Sequence, residues 1–213
     1  MTSMRAISAF RVMAMSAVLL LTFAVAACSS HTDGHPTTTG SPDNGGTAMS
    51  TNPALPPDFH VVDATPTSQQ QAQDAVIGYL TKTLKELPPG TVFDNSRYPG
   101  SGNTPCTDQP TGTPPNEYAD KRQAIFPPGT NVEAMIAKAG QIWTSWGWHV
   151  MERDGFRKPN QFGYGPDGYA LQIVASNPPG YPPTITGVSP CYPGELASAN
   201  VPVPAVLGNQ SSI

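Results

Sequence analysis

The sequence has few charged residues, and basic ones are the minority among them. Of its 213 residues 12% are charged, with 11 Lys and Arg against 15 Asp and Glu. A surface that binds nucleic acid needs clustered Lys and Arg to neutralise the phosphates. The composition therefore predicts that nucleic acid is not a partner.

Cysteine is scarce as well, and the common cofactor motifs are missing. The three cysteines are Cys28, Cys106 and Cys191, and no two of them have the close spacing of a structural zinc site. The sequence contains neither the zinc-protease motif HExxH nor a phosphate-binding P-loop. We therefore predict no metal site and no cofactor.

Proline and glycine, in contrast, are abundant. The 25 Pro and 20 Gly make up about a fifth of the chain, which predicts a loop-rich protein, and the 38% of hydrophobic residues suffice for one core of ordinary size. After residue 28 there is no apolar run of about eighteen residues, the length that a membrane-spanning helix needs.

The first 27 residues have the pattern of a secretion signal. Arg5 and Arg11 form a basic start, and residues 12–27 carry no charge. The end of this stretch and the residue after it, Val25-Ala26-Ala27-Cys28, resemble the bacterial lipobox, in which the cysteine receives a diacylglycerol on its thiol and becomes the first mature residue. Ordinary secretion with an incidental cysteine and a membrane-spanning helix are the alternatives.

Lipidation of Cys28 predicts a membrane protein without a membrane-spanning segment. Several acyl chains, such as palmitate, on one residue hold a protein stably to the bilayer. Residues 28–57 are rich in Gly, Ser, Thr and Pro and predict a disordered tether. We expect one domain over residues 58–200 at the extracytoplasmic face of the cell membrane, followed by an extended tail over 201–213.

The hydrophobic pattern of the domain predicts an α+β fold. Apolar residues at helical spacing predict one helix over 66–87 and a second from Thr130 to a cap at Gly147. Alternating patterns separated by short turns predict an antiparallel sheet of about four strands, because parallel strands need long crossovers. These strands lie at 148–153, 162–164, 169–176 and 184–189, with one more short strand near 104–107. The two helices are expected to pack on one face of the sheet.

Two cysteines remain if Cys28 is lipidated. In an oxidising envelope compartment Cys106 and Cys191 are expected to form one disulfide, which would pin the long irregular segment after the first helix. Free thiols and metal-binding thiols are the alternatives.

Two glycine-containing motifs look catalytic but stand in the wrong context. Residues 163–168 match the dinucleotide motif GxGxxG, yet a strand pattern follows where that motif needs a helix. Ser189 lies in a near match to the nucleophile elbow, but Pro190 lacks the N–H that an oxyanion hole requires. We therefore predict a hairpin turn at the first motif and no catalytic serine at the second.

Aromatic residues cluster late in the domain. Trp148, Tyr164 and Tyr169 lie in predicted strands and turns, where an aromatic ring with a polar tip suits sugar or peptide recognition. They are our candidate binding surface, and packing in the core is the alternative.

Taken together, these features resemble a known group of proteins. The lipobox, the tether, the two remaining cysteines and the closing segments Gly168-Tyr169, Thr184-Ile185-Thr186 and Ser189-Pro190-Cys191 are similar to those of small mycobacterial Lpp-type envelope lipoproteins of the LppA and LppV kind. The resemblance implies a compact α+β domain on a membrane tether and supplies no catalytic residues.

Two hypotheses on function follow. The first is a non-catalytic module that binds an envelope protein, glycan or lipid, since no catalytic motif is assembled. The second is an envelope hydrolase or transferase that uses Glu152, Asp154 or His149. Two carboxylates or a His–acid pair in a cleft would favour the enzyme, and a shallow groove would favour binding.

Overall fold

The computed structural model describes most of the predicted domain and none of the signal peptide. The predicted lipidation site Cys28 and the tether up to Ala54 lie outside the described residues. All described residues belong to one unit, Thr47–Ile213. They are residues 55–62, 64–98, 101–197 and 201–209.

The first helix, α1, spans Gln69–Lys85. Ser68 caps its start, since the Ser68 side chain accepts a hydrogen bond from the backbone N–H of Gln71. The apolar positions at helical spacing are buried, among them Val76 and Leu80. The predicted helix is confirmed, but it begins three residues later than expected because Ser68 supplies the cap.

The second helix, α2, spans Val132–Ser145 and begins two residues later than predicted. The side chain of Asn131 caps it by accepting from the N–H of Ala134 at 3.0 Å. Gly147 follows its end with a φ of +80°, a left-handed conformation that glycine adopts without strain. Within the part of the chain described here, no helix has the length and apolar character needed to cross a bilayer.

The sheet is antiparallel throughout but has eight strands, so the prediction of about four was wrong. Seven of the strands follow the order β4-β5-β6-β7-β3-β1-β8, and β2 pairs with β3 beside this path. The strands are β1 (Val92–Asp94), β2 (Gly102–Pro105), β3 (Asn116–Ile125), β4 (His149–Met151), β5 (Asn160–Tyr164), β6 (Ala170–Val174), β7 (Thr184–Val188) and β8 (Val206–Gly208).

Both helices pack on the same face of this sheet. A Cβ atom added at Gly187 of β7 would lie 2.8 Å from Val76 of α1, and one at Gly163 of β5 would lie 2.9 Å from Trp143 of α2. Both glycines are direct cross-strand partners of Leu171 on β6, so all three point to one side. The core lies between this side and the helices, and the opposite side has no helix within the described residues.

The predicted disulfide is present. Cys106 follows β2 and Cys191 follows β7, and their sulfur atoms are bonded. Beside the bond, Asn116 and Tyr192 exchange two backbone hydrogen bonds of 2.8 Å. The disulfide therefore ties the loop after β2 to the end of β7.

The C-terminal segment, residues 201–209, lies along the domain as an extended strap. Residues 206–208 of this strap form β8 at one edge of the sheet, beside β1. The carbonyl of Pro202 accepts a hydrogen bond from Gln73 of α1, and the carbonyl of Pro204 accepts one from Arg122 of β3. The sequence prediction of an extended tail over 201–213 did not include the pairing of residues 206–208 with the sheet.

Candidate functional site

A groove with a volume of about 430 Å³ lies on the sheet face opposite the helices. We call it the open-face groove. Strands β3, β6 and β7 supply its floor, and the loop of residues 175–183 supplies one wall. The floor residues are Lys121, Gln123, Gln172, Val174, Thr184 and Thr186, and the walls and rim are Tyr98, Phe156, Ala175, Ser176, Asn177, Pro178, Tyr181 and Pro182.

Strand pairing brings the floor residues together. Thr186 on β7 lies opposite Lys121 on one side and Gln172 on the other, and direct cross-strand partners point to the same face. Two residues further along the same strands, Gln123 on β3 lies opposite Thr184 on β7 and points to the same face. The floor is therefore mainly a polar surface of amides, hydroxyls and one ammonium group.

Several polar groups of this floor have no partner. Within the part of the chain that the structure describes, the side chains of Gln123, Gln172 and Thr186 make no hydrogen bond, although Thr186 is only 7% exposed. Buried polar groups normally have a hydrogen-bond partner from the protein or from water. These groups are thus free to donate to and accept from a molecule in the groove.

The only charged side chain among the described lining residues is Lys121. Its ammonium nitrogen lies 5.1 Å from the ring centroid of Tyr98, within cation–π range. No carboxylate of the described chain is within ion-pair distance of it. Asp94 lies opposite Gln123 on β1, and hydrogen bonding from the side chain and the backbone N–H of Ser96 lowers its pKa.

The rim carries exposed aromatic rings. Tyr181 is 62% exposed and Phe156 is 41% exposed. The hydroxyl of Ser176 holds the loop that carries Tyr181, since it donates to the carbonyl of Tyr181 at 2.6 Å and contacts that of Pro178 at 3.2 Å. The ring of Phe156 packs against Phe162 of β5. Both rings are held at the mouth of the groove with part of each surface accessible.

The three aromatic residues predicted as a binding surface lie elsewhere. Trp148, Tyr164 and Tyr169 are 6%, 7% and 6% exposed. Trp148 and Tyr169 pack against Tyr79 of α1, with ring centroids 4.9 and 5.6 Å away. Burial raises the pKa of Tyr164 and of Tyr169. Their positions match the alternative of core packing, and they offer little surface to a ligand.

The groups considered for catalysis have structural contacts. Glu152 and Asp154 lie 3.7 and 3.0 Å from the ammonium of Lys158, on the protein surface. The His149 ring packs between Phe59 and Tyr164, at centroid distances of 5.9 and 6.4 Å. None of these three groups lines the open-face groove. Among the described residues we therefore find no observation that favours a hydrolase or transferase.

The two glycine-containing motifs also have structural roles. In residues 163–168 the N–H of Gly165 donates to the carbonyl of Tyr169, which closes the β5–β6 hairpin and confirms the predicted turn. The hydroxyl of Ser189 accepts from the N–H of Tyr118 at 2.9 Å and donates to the carbonyl of Pro190 at 2.8 Å. Ser189 is 3% exposed and fixes the end of β7 beside β3.

One cluster in the described chain has potential metal ligands, and its chemistry argues against a metal. Cys106, Cys191 and Glu117 bring their ligand atoms within 4.8 Å of one another. Both sulfur atoms belong to the disulfide, so neither is a thiolate. Burial raises the pKa of Glu117, which disfavours the carboxylate form that would bind a cation.

Sequence reasoning missed the groove because it missed strand β3. Lys121 and Gln123 lie on that strand, and the rim residues Tyr98, Phe156 and Tyr181 lie in loops. The available signal was the alternation in β7, where Thr184 and Thr186 flank Ile185 and predict one apolar and one polar face. To predict that the polar faces of two strands lie side by side, one must know the order of the strands in the sheet, and the local sequence pattern does not give that order.

The fold and the groove define the class of protein: an α+β domain whose antiparallel sheet is covered by helices on one side and carries a polar groove on the other. Comparison with protein-family models, with curated proteins and with solved structures finds no match to this chain.

Proposed function

We propose that the protein is a membrane-anchored envelope lipoprotein whose domain is a non-catalytic binding module, with the ligand in the open-face groove. In this proposal the acylated Cys28 holds the chain at the extracytoplasmic face of the cell membrane. The likeness to Lpp-type lipoproteins is part of the same proposal.

The observation that carries the binding function is the chemistry of the groove. Its floor offers unpartnered amides and hydroxyls, and its rim offers accessible aromatic rings, which together can hold and orient a molecule. A hydrolase or transferase would need an acid, base or nucleophile set in the groove. The described lining residues include no Asp, Glu, His or Cys.

The disulfide and the lipobox together support the extracytoplasmic location. Disulfides persist in oxidising compartments outside the cytoplasm, and Cys106 is bonded to Cys191 here. Cys28, the third cysteine, has a different expected fate because it follows Val25-Ala26-Ala27.

The described chain also enters the domain away from the groove. The N–H of Val62 donates to the carbonyl of Pro166, in the turn that precedes β6, whereas the groove lies at the other end of β6, around Val174. At about 3.4 Å per residue the two ends of this five-residue strand are roughly 14 Å apart. A tether that joins the domain here leaves the groove accessible.

The anchor is tested by mass spectrometry of the full-length protein from its native membrane. We expect the mature chain to begin at Cys28 with acyl chains on this residue, and the variant Cys28→Ser to appear in the medium. Cys106→Ser, which removes a different cysteine, serves as the control and should stay on the membrane. Recovery of an unmodified wild-type chain from the medium would disprove the anchor.

The binding function is tested by co-sedimentation of the full-length protein, in detergent, with the insoluble envelope fraction of its own cells. We expect Tyr181→Ala to reduce the bound fraction several-fold, because Tyr181 lines the groove. Val206→Ala on β8 is a matched control, since Val206 is 53% exposed and lies outside the groove. Equal retention of both variants would place binding elsewhere.

A further inference from the structure

We propose that the open-face groove binds an acidic glycan: an oligosaccharide strand whose carboxylate or phosphate group contacts Lys121. This inference rests on the proposed binding function and names the ligand class for the same groove. Four features of the described residues lead to it: the polar floor, the aromatic rim, the charge of Lys121 and the position of the groove in the sheet.

The floor matches the hydrogen-bonding capacity of a sugar. A sugar hydroxyl donates one hydrogen bond and accepts others, and a side-chain amide also both donates and accepts. Gln123 and Gln172 supply such amides without an internal partner, and Thr186, a residue that is 7% exposed, adds a hydroxyl in the groove floor. A ligand that pairs with several of these groups at once is both held and oriented in the groove.

The rim matches the flat, apolar side of a sugar ring. The C–H groups on one face of a pyranose carry partial positive charge and pack on the negative face of an aromatic ring. Tyr181, at 62% exposed, presents its ring at the mouth of the groove, and Phe156 presents part of its own. This arrangement can stack a ring while the floor pairs with its hydroxyls.

The charge of the groove favours an acidic sugar over a neutral one. Lys121 has no carboxylate within ion-pair distance in the described chain, and no carboxylate lines the groove. Asp94 on β1 shares this sheet face but accepts a hydrogen bond from Ser96. At its edge, the guanidinium of Arg157 contacts the side-chain oxygen of Asn177 at 3.4 Å and adds a second positive charge. A hydrogen bond between an ammonium group and an anion is stronger than one between neutral groups.

The position of the groove argues against a peptide bound as an extra strand. The floor lies on β3, β6 and β7, which are inner strands of the sheet, each paired on both sides. A peptide that extends a sheet needs the free backbone groups of an edge strand. Recognition in the groove must therefore use side chains, as it does for a glycan.

The test uses polysaccharide from the protein's own envelope. The polysaccharide is digested to soluble fragments, freed of peptide with protease and separated into acidic and neutral fractions by anion exchange. Binding of the full-length protein, in detergent, to each fraction is measured by calorimetry. Samples of the acidic fraction are then treated by carboxyl reduction or by dephosphorylation, which distinguishes a carboxylate from a phosphate as the contact of Lys121.

We expect the acidic fraction to bind and one of the two treatments to weaken its binding about tenfold, the effect of losing a charge-assisted hydrogen bond. Lys121→Gln should weaken binding of the untreated fraction by a similar factor and leave binding of the treated fraction unchanged. Lys138→Gln, on the exposed surface of α2, removes the same charge outside the groove and should have no effect. Tyr181→Ala should weaken both fractions, and Tyr181→Phe, which keeps the ring, should not.

The other outcomes separate this inference from the proposed function. Equal binding of acidic and neutral fractions, insensitive to Lys121→Gln, would overturn the acidic ligand while leaving a groove that binds. Retention of the protein by the whole envelope fraction but by neither glycan fraction would overturn the glycan and point to a peptide ligand. Loss of retention by the envelope fraction itself would overturn the proposed function too.

Discussion

At the scale of single residues, the buried pair of Asp120 and Arg122 is the most consequential feature of the core. Both side chains are fully buried on the helix side of β3, and two hydrogen bonds of 2.8 and 2.9 Å join them. The third guanidinium nitrogen of Arg122, Nη1, donates to the carbonyl of Pro204 at 2.9 Å and contacts that of Ala205. A buried charge is tolerated only when its partners are complete.

We therefore predict that Arg122→Met lowers the free energy of unfolding by about 3–5 kcal/mol, because it leaves the Asp120 carboxylate buried without its cation. The double variant Asp120→Leu, Arg122→Met should recover most of this loss, since it removes both charges. Urea unfolding followed by tryptophan fluorescence measures both. A loss below about 1 kcal/mol in the single variant would contradict the role of the pair.

Buried tyrosines predict a second effect, on the pH dependence of stability. Burial raises the pKa of Tyr79, whose hydroxyl also bonds to Asp167, and of Tyr118. Burial also raises the pKa of three more tyrosines, Tyr164, Tyr169 and Tyr192. An unfolded chain releases these protons near the ordinary tyrosine pKa of about 10. Above this pH the native state binds more protons than the unfolded state, so the free energy of unfolding falls as pH rises.

We expect the tyrosines to contribute no pH dependence to the urea midpoint of unfolding below about pH 9. Above about pH 10 the midpoint should decrease steeply. Ultraviolet absorbance of tyrosinate, recorded in the same samples, should rise together with unfolding. Tyrosinate that forms in the folded protein well before the unfolding transition would contradict the prediction.

At the scale of elements, the helices were predictable from sequence and the central strand was not. Apolar spacing and capping residues locate α1 and α2 to within a few residues, because both signals are local. In β3 the buried positions include Asp120 and Arg122, so the usual alternation of apolar and polar residues is absent. The buried charges are compensated by each other and by the distant strap, which no local pattern shows.

The strap itself yields an element-scale prediction. Residues 201–209 supply β8, which pairs with β1, and carbonyl acceptors for Gln73 and Arg122. A chain that ends at residue 200 should lose about 3 kcal/mol or more of unfolding free energy, because buried donors lose their acceptors and Leu207 no longer covers the core. Urea unfolding measures the loss.

Removal of residues 210–213 alone is the control for this truncation. It leaves in place the hydrogen bonds that Asn209 makes with Gly90, Thr91 and Leu87. If the long and short truncations were equally stable, the strap would not be part of the fold.

At the scale of the whole molecule, the sequence predicted the fold class and the disulfide but not the site. The antiparallel arrangement follows from short connections, and the pairing of Cys106 with Cys191 follows from a count of cysteines. The open-face groove depends on side chains from β3, β6 and β7, which are neighbours only in the folded sheet. The sequence pattern predicted Trp148 as part of a binding surface, but Trp148 is buried, and the groove instead exposes the ring of Tyr181.

The disulfide closes a loop with a sequence separation of 85 residues. We predict that the double variant Cys106→Ser, Cys191→Ser loses up to about 4.6 kcal/mol of unfolding free energy, because the unfolded chain regains the entropy that the bond removes. Cys28→Ser should leave this free energy unchanged, since Cys28 is not part of the bond. Chemical denaturation of the three proteins under non-reducing conditions gives the comparison. Equal stability of the double variant and the wild type would mean that the contacts between Asn116 and Tyr192 alone hold the loop to the end of β7.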